Sequence, residues 1–303
     1  MSSLSQYIAV YIATSHRSCA ISTYELAVQL VRNYSMPKSD AHALNLRKDF
    51  PSIREVNYVR SQLEKYGVLA RSDNGGANYS LVVARPPEDD AELACALDPT
   101  CYASHQSAMV YHGLTDQFPI VTTMSAQSKN DWSVYVEERM KRDLGAHLDR
   151  YGAEFLPQMQ RVRVKSKKNR SNVVYFQPKL TPSYVLLRDG RLRVSSIGRT
   201  FLEMLRQPDL CGGMSHVVAC FRESAARYVD LVYTEVDRFG APIDKVRAGY
   251  LLESVVGIND KRLDNWVQYA ARGGSRKIDP AAPYAPEYSV RWSLSLNLPG
   301  LPR

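Results

Sequence analysis

The chain has 303 residues, 45% apolar and 10% aromatic, which is enough to bury a core and more than one small domain needs. Thirty-nine Lys and Arg against 31 Asp and Glu give a formal charge of +8; this argues against an acidic disordered protein and favours a polyanionic partner. The five cysteines (Cys19, Cys95, Cys101, Cys211 and Cys220) contain no C-x-x-C pair, which argues against a disulfide framework or a zinc site.

No basic leader and no apolar run of membrane length stands out, so a cytoplasmic protein away from the membrane is expected. Residues 1–87 hold ten Lys and Arg against six Asp and Glu, a net +4, and the remainder also nets +4. Charge alone therefore does not say which half meets nucleic acid.

In chain order, Leu4, Tyr7, Ile8, Tyr11 and Ile12 form one helical stripe. Ser22 and Glu25 make an S-x-x-E capping box for a second helix, with Leu26, Ala27 and Leu30 inward. Ser52 and Glu55 make another for a third helix over 52–66, with Ile53, Val56, Val59, Leu63 and Tyr66 as its buried side and Gly67 ending it. At ~100° per residue, Arg54, Asn57, Tyr58, Ser61 and Lys65 gather on the opposite face, with donors suited to base edges and phosphates. A segment over 39–48 is a further candidate helix, with His42, Asn45, Arg47 and Lys48 outward, and competes for the same role.

A hairpin follows, with strands near 68–71 and 79–83 around the turn Ser72-Asp73-Asn74-Gly75-Gly76. Helices followed by a hairpin are the order of a winged helix-turn-helix, in which the helix before the hairpin enters the major groove and the hairpin tip reaches the backbone. On this reading Ser52, Arg54, Asn57, Tyr58, Ser61, Lys65, Arg71, Asn74 and Asn78 meet double-stranded DNA. The bland reading is a solvated helix face or a protein-docking module.

Arg85-Pro86-Pro87-Glu88-Asp89-Asp90 reads as a domain boundary, giving a DNA-binding domain over 1–87 and a larger mixed α/β domain over 88–303. The expected fold class is α+β. In the second domain, helices are expected near 104–111, 196–205, 216–227, 228–239, 245–255 and 259–271. Strands are expected near 120–125, 160–165, 172–177, 192–194 and 290–294.

The densest positive charge is Arg161, Arg163, Lys165, Lys167, Lys168 and Arg170, alternating at first with valines. It reads either as an edge hairpin protected by charge or as a second polyanion surface.

Four ordered segments over about 95–298 carry a resemblance. Ser104-His105-Gln106-Ser107-Ala108 with His112-Gly113-Leu114-Thr115-Asp116-Gln117 resembles the "SH-x-SA…HGLT-x-Q" signature of AbiEi-type antitoxins. Val194 to Leu205, Arg247 to Glu253 and Arg291 to Asn297 resemble three further segments of that family in its order. Gly198 stands where the family usually has an acid, and Glu203 replaces its usual Asp. The resemblance implies a non-enzymatic antitoxin of a phage-defence (abortive infection) module. Its winged helix would repress its own promoter at an inverted repeat as a dimer. Its C-terminal domain would counter a nucleotidyltransferase-like toxin, directly or indirectly.

The residues themselves name no cofactor, metal or catalytic centre. His105 and His112 share a helix face, but no further ligand stands at ligand spacing, and a structural role is expected for them. Phosphate loops and nucleophile elbows are absent. Arg199 is expected to be buried against a carboxylate such as Glu253. Two alternatives stay open: a nucleic-acid-processing enzyme using the basic strand, and an antitoxin that binds protein without binding DNA.

Overall fold

The computed structural model describes residues 3–36, 44, 46, 48–72, 76–164, 173–179, 181–270 and 276–302. The candidate helix over 39–48 lies largely outside them. The protein is mixed α and β, with several small sheets. It divides into two compact units. One holds 1–102, 125–177 and 186–193; the other holds 103–124, 178–185 and 194–303.

The first unit begins with α1 (Leu4–Thr14), β1 (Ala20–Ser22), α2 (Thr23–Tyr34) and α3 (Ile53–Lys65). The hairpin β2 (Leu69–Ser72) and β3 (Gly76–Val82) joins β1 in an antiparallel sheet of order β1-β3-β2. Local chemistry fixes these elements. Ser22 and Glu25 exchange capping bonds at the start of α2, the Ser22 N–H donating to Glu25 Oε2 at 2.8 Å and the Glu25 N–H to Ser22 Oγ at 3.0 Å. At the start of α3 both the N–H and the hydroxyl of Ser52 donate to Glu55 Oε2, each at 3.1 Å. Gly67 then turns the chain in the left-handed region that a side chain would strain.

Ile8, Ile12, Leu26, Leu30, Val56, Val59 and Leu63 bury together. Tyr7, Ile53 and Tyr66, expected inward or on the apolar stripe, are exposed. Ile53 and Tyr66 lie at the two ends of α3, beyond the reach of that core.

The unit containing 1–87 continues well past the expected boundary. Arg85 donates to the carbonyls of Ile12 at 2.8 Å and Ala13 at 2.5 Å, which ties the proline-rich segment to the end of α1. Asp89 caps α4 (Asp90–Leu97), and the buried Glu92 accepts from Arg188 at 3.2 Å and Arg191 at 2.7 Å. The acids that read as a solvated linker are therefore capping and ion-pair partners.

A five-stranded sheet has the order β6-β5-β4-β8-β7. Its strands are β4 (Tyr102–Ala103), β5 (Thr122–Ser125), β6 (Val173–Phe176), β7 (Tyr184–Leu187) and β8 (Leu192–Ser195). The sequence predicts a strand over 160–165; of these, 160–164 are described and are extended without joining one. The Val162 N–H goes to the Leu97 carbonyl and the Val164 N–H to the Tyr175 hydroxyl, so no ladder forms.

The second unit carries α5 (His105–Tyr111), α8 (Ile197–Arg206), α9 (Met214–Ser224), α10 (Val229–Phe239) and α11 (Pro242–Tyr250), which runs into a π-helical turn at Leu251–Val255. The expected helix near 259–271 shortens to α12 (Asp264–Val267) after a 3-10 turn. The strand expected near 290–294 is mostly the turn of a short hairpin, β9 (Tyr288–Ser289) and β10 (Leu294–Ser295), with Ser293 at φ +49°. The remaining helices, α6 (Lys129–Leu144) and α7 (Leu148–Ala153), belong to the first unit.

The four segments that carry the family resemblance converge in the core of this second unit. The His105 N–H donates to Glu203 Oε2 at 3.0 Å, and the Ser195 hydroxyl donates to the same carboxylate. His112 Nε2 pairs with the Ser195 carbonyl at 2.5 Å. Arg247 donates to the Leu205 carbonyl at 3.2 Å, and Glu253 accepts from Trp292 Nε1 at 2.7 Å.

Arg199 is buried and paired as expected, but with Glu235 at 2.6 Å and the Thr181 carbonyl at 2.7 Å rather than with Glu253. It faces α10, whereas Glu253 is taken by Arg291 and Trp292. Gly198 is set by packing: a Cβ there would lie 2.4 Å from the Leu231 carbonyl oxygen of α10. At Gly249 a Cβ would lie 2.1 Å from the Trp292 ring.

Two measurements check this core. Gly249→Ala forces Trp292 aside and should destabilise by ~1–3 kcal/mol, seen as a lower urea midpoint with an unchanged slope. Burial holds the Glu203 carboxyl above its usual range, so its favourable contribution is complete at acid pH and is lost as pH rises through that raised value. The stability of wild type relative to Glu203→Gln should therefore fall as pH rises above the ordinary carboxylate range, which pH-resolved urea unfolding reads directly.

Candidate nucleic-acid interface

Helix α3 divides cleanly. Val56, Val59 and Leu63 are buried, and Arg54, Asn57, Tyr58, Ser61 and Lys65 are exposed on the other side. Tyr58 is 61% exposed, a large aromatic held in water where burial would ordinarily be favoured. The acids of α3 are occupied. Glu55 accepts from Ser52 and from the Tyr34 hydroxyl, and Glu64 sits 3.4 Å from Arg71 and 4.0 Å from Arg60. The outward face thus presents a guanidinium, an amide, a phenol, a hydroxyl and an ammonium, free of a carboxylate between them.

The other residues expected at this interface divide. Ser52 is half-buried and spends its hydroxyl on the cap. Arg71, on β2, has a side chain 88% exposed beside Glu64, on the flank of the hairpin. Asn78 donates to Gln160 Oε1 at 2.7 Å, so its amide is engaged within the chain. Asn74 lies outside the described residues.

In the basic stretch, Arg161 is turned inward. It donates to the Gln127 carbonyl at 2.8 Å, lies 3.9 Å from the buried Asp98 and stacks over Trp132. Arg163 is exposed over the Tyr175 ring. Lys165, Lys167, Lys168 and Arg170 lie outside the described residues. The valines between the arginines do face inward, packed with Cys19, Ala20, Tyr79, Leu93 and Leu97.

Sequence reasoning missed the support behind this face. Met140 and Leu144 of α6, Tyr151 of α7 and Leu156 join the core that α1, α2 and α3 share. The Tyr24 hydroxyl donates to Asp143 at 3.1 Å, and Arg150 stacks over the Phe50 ring just before α3. Ser128, which caps α6 by accepting from the Asp131 N–H, is the one sequence signal that could have revealed the helix.

No family model matches the chain, and no curated protein matches it. Among solved structures it is similar to the RV2827C protein from Mycobacterium tuberculosis, at 12% identity and a TM-score of 0.46, over 95% of this chain and 89% of that one. A likeness at that level carries no argument about function. No described helix is long and apolar enough to cross a membrane.

The division of α3 has a direct consequence for stability. Arg54→Ala and Asn57→Ala should each change it by less than about 0.5 kcal/mol. Leu144→Ala, distant in sequence, should cost ~2–5 kcal/mol. Urea unfolding of the three variants distinguishes an outward functional face from a packed one.

Proposed function

We propose that the protein is a DNA-binding autorepressor and non-enzymatic antitoxin of the AbiEi type, with residues 1–87 acting as a winged helix-turn-helix. The observation that carries the DNA half is the outward face of α3, followed by an antiparallel hairpin with Arg71 on its flank. An α-helix fits the major groove of B-DNA, and Arg and Asn are the side chains that read guanine and adenine there. In this reading Arg54 and Asn57 read bases, Tyr58 and Ser61 contact base edges or sugar, and Lys65 and Arg71 neutralise phosphates. Two copies sit on an inverted repeat, as paired half-sites require. The antitoxin half rests on the four ordered segments of the sequence, with the second unit meeting or opposing a nucleotidyltransferase-like toxin.

Fluorescence anisotropy with a duplex from upstream of the protein's own gene, against a scrambled duplex at several salt concentrations, tests the reading. The expected result is a preference for the native duplex, with log affinity falling linearly against log salt. Arg54→Ala and Asn57→Ala should each lose ~1–3 kcal/mol of that preference. Lys65→Ala should weaken both duplexes alike and flatten the salt slope by about one. Equal affinity for the two duplexes at every salt concentration would remove the repressor function.

A further inference from the structure

The first unit holds three thiols that its proposed DNA contacts do not use, and two of them are neighbours. Cys95 stands near the C-terminal end of α4, and Cys101 comes six residues later, just before β4. Both are buried and reduced. Cys95 Sγ lies 3.7 Å from the Cys101 carbonyl oxygen, and Cys101 Sγ lies 3.2 Å from the carbonyl oxygen of Ala94, the residue before Cys95, so the two side chains point into the same small space between the end of α4 and the start of β4. One guanidinium fixes the loop that joins them. Arg193 donates to the carbonyls of Cys101 at 2.7 Å, Cys95 at 2.6 Å and Asp98 at 2.8 Å.

We propose that Cys95 and Cys101 form a peroxide-sensitive dithiol that closes reversibly to a disulfide inside the first unit. Electrostatics gives the pair a direction. Burial pushes the Cys95 thiol up, but the hydrogen bond from the Cys101 thiol and the charge of Arg193 outweigh it and bring Cys95 down to about 7. Cys101 is held well above the ordinary thiol value by burial and by donating to Cys95. Cys95 is therefore the attacking thiolate, and Cys101 the thiol that resolves.

The other three cysteines lack this arrangement. Burial raises Cys19 to about 12 and Cys220 to about 11, and it also raises Cys211.

The chemistry balances with hydrogen peroxide as oxidant. The Cys95 thiolate attacks one peroxide oxygen; an S–O bond forms, the O–O bond breaks, and the departing hydroxide takes a proton to become water. The Cys101 sulfur then attacks the resulting sulfenic acid. An S–S bond forms, the S–O bond breaks, and a second water leaves with the Cys101 proton. Two electrons pass from the thiol pair to the peroxide, and a small dithiol reductant reverses the closure. Leu93 and Leu97 of α4 pack with Ala20 and Tyr79 of the β1-β3-β2 sheet and with Cys19 just before it, so the bond would form on the helix that supports that sheet.

The test uses the native full chain, treated with hydrogen peroxide, quenched with catalase, then unfolded in N-ethylmaleimide and weighed by mass spectrometry. The untreated chain should take an adduct on each of its five cysteines. The treated chain should take two fewer, and its tryptic peptide carrying both Cys95 and Cys101 should be lighter by two hydrogens. Dithiothreitol should restore the full set. In Cys101→Ser the reaction should stop at a sulfenic acid on residue 95 that dimedone traps, whereas Cys95→Ser should show neither product. A full set of adducts, under peroxide exposure that oxidises a free dithiol control, would overturn the proposal. So would a lost pair that includes Cys19. The wild-type peptide mass decides the matter even if a serine variant fails to fold.

Discussion

The apolar stripe of α3 is the constraint from which the rest follows. Val56, Val59 and Leu63 are essentially without solvent contact, and burying each is worth ~1.5–3 kcal/mol. Once they are committed to the core with Ile8, Ile12, Leu26 and Leu30, helical geometry leaves Arg54, Asn57, Tyr58, Ser61 and Lys65 no orientation but outward. The capping of Glu55 and the pairing of Glu64 with Arg60 and Arg71 then keep negative charge off that face. The surface that results offers these donors with no carboxylate among them, and the proposed contacts with a phosphate-lined groove rest on it.

That core is not built from the N-terminal segment alone. Leu144, Met140, Tyr151 and Leu156 come from far along the chain, and the Tyr24–Asp143 hydrogen bond spans 119 residues. The three helices are placed by partners that a local reading cannot see. A break at residue 87 looks natural in sequence because prolines and consecutive acids mark linkers. In the folded protein Arg85 is bonded to the end of α1, and Glu92 is buried between Arg188 and Arg191.

What could be read from the sequence was short-range. The capping boxes at Ser22 and Ser52, the stop at Gly67 and the central inward residues of α3 (Val56, Val59 and Leu63) lie within a turn or two of one another, and the structure places them as read. What failed depended on distant partners. Ile53 and Tyr66 have the right spacing but lie past the ends of the core. Residues 160–164 alternate like a strand yet give their N–H groups to Leu97 and Tyr175. Helix α6 gives a weak apolar pattern because its few core residues, Met140 and Leu144, are diluted among charges. Asn78 and Arg161 look like surface residues by type, but their intramolecular partners, Gln160 and Asp98, are 82 and 63 residues away.

The segments behind the family resemblance turn out to be mutual neighbours. Glu203 is shared by His105 and Ser195, Arg247 reaches Leu205, and Trp292 fills the space beside Gly249. These residues pack together and satisfy one another's buried polar groups, which accounts for their positions in the fold. The central claim concerns α3. It is tested most directly by photo-crosslinking the full chain to a bromodeoxyuridine-substituted duplex from upstream of its gene, with adducts located by mass spectrometry. The account predicts adducts on Tyr58 and its neighbours within 53–65. Adducts confined to the second unit, or to the basic stretch after residue 160, would contradict it.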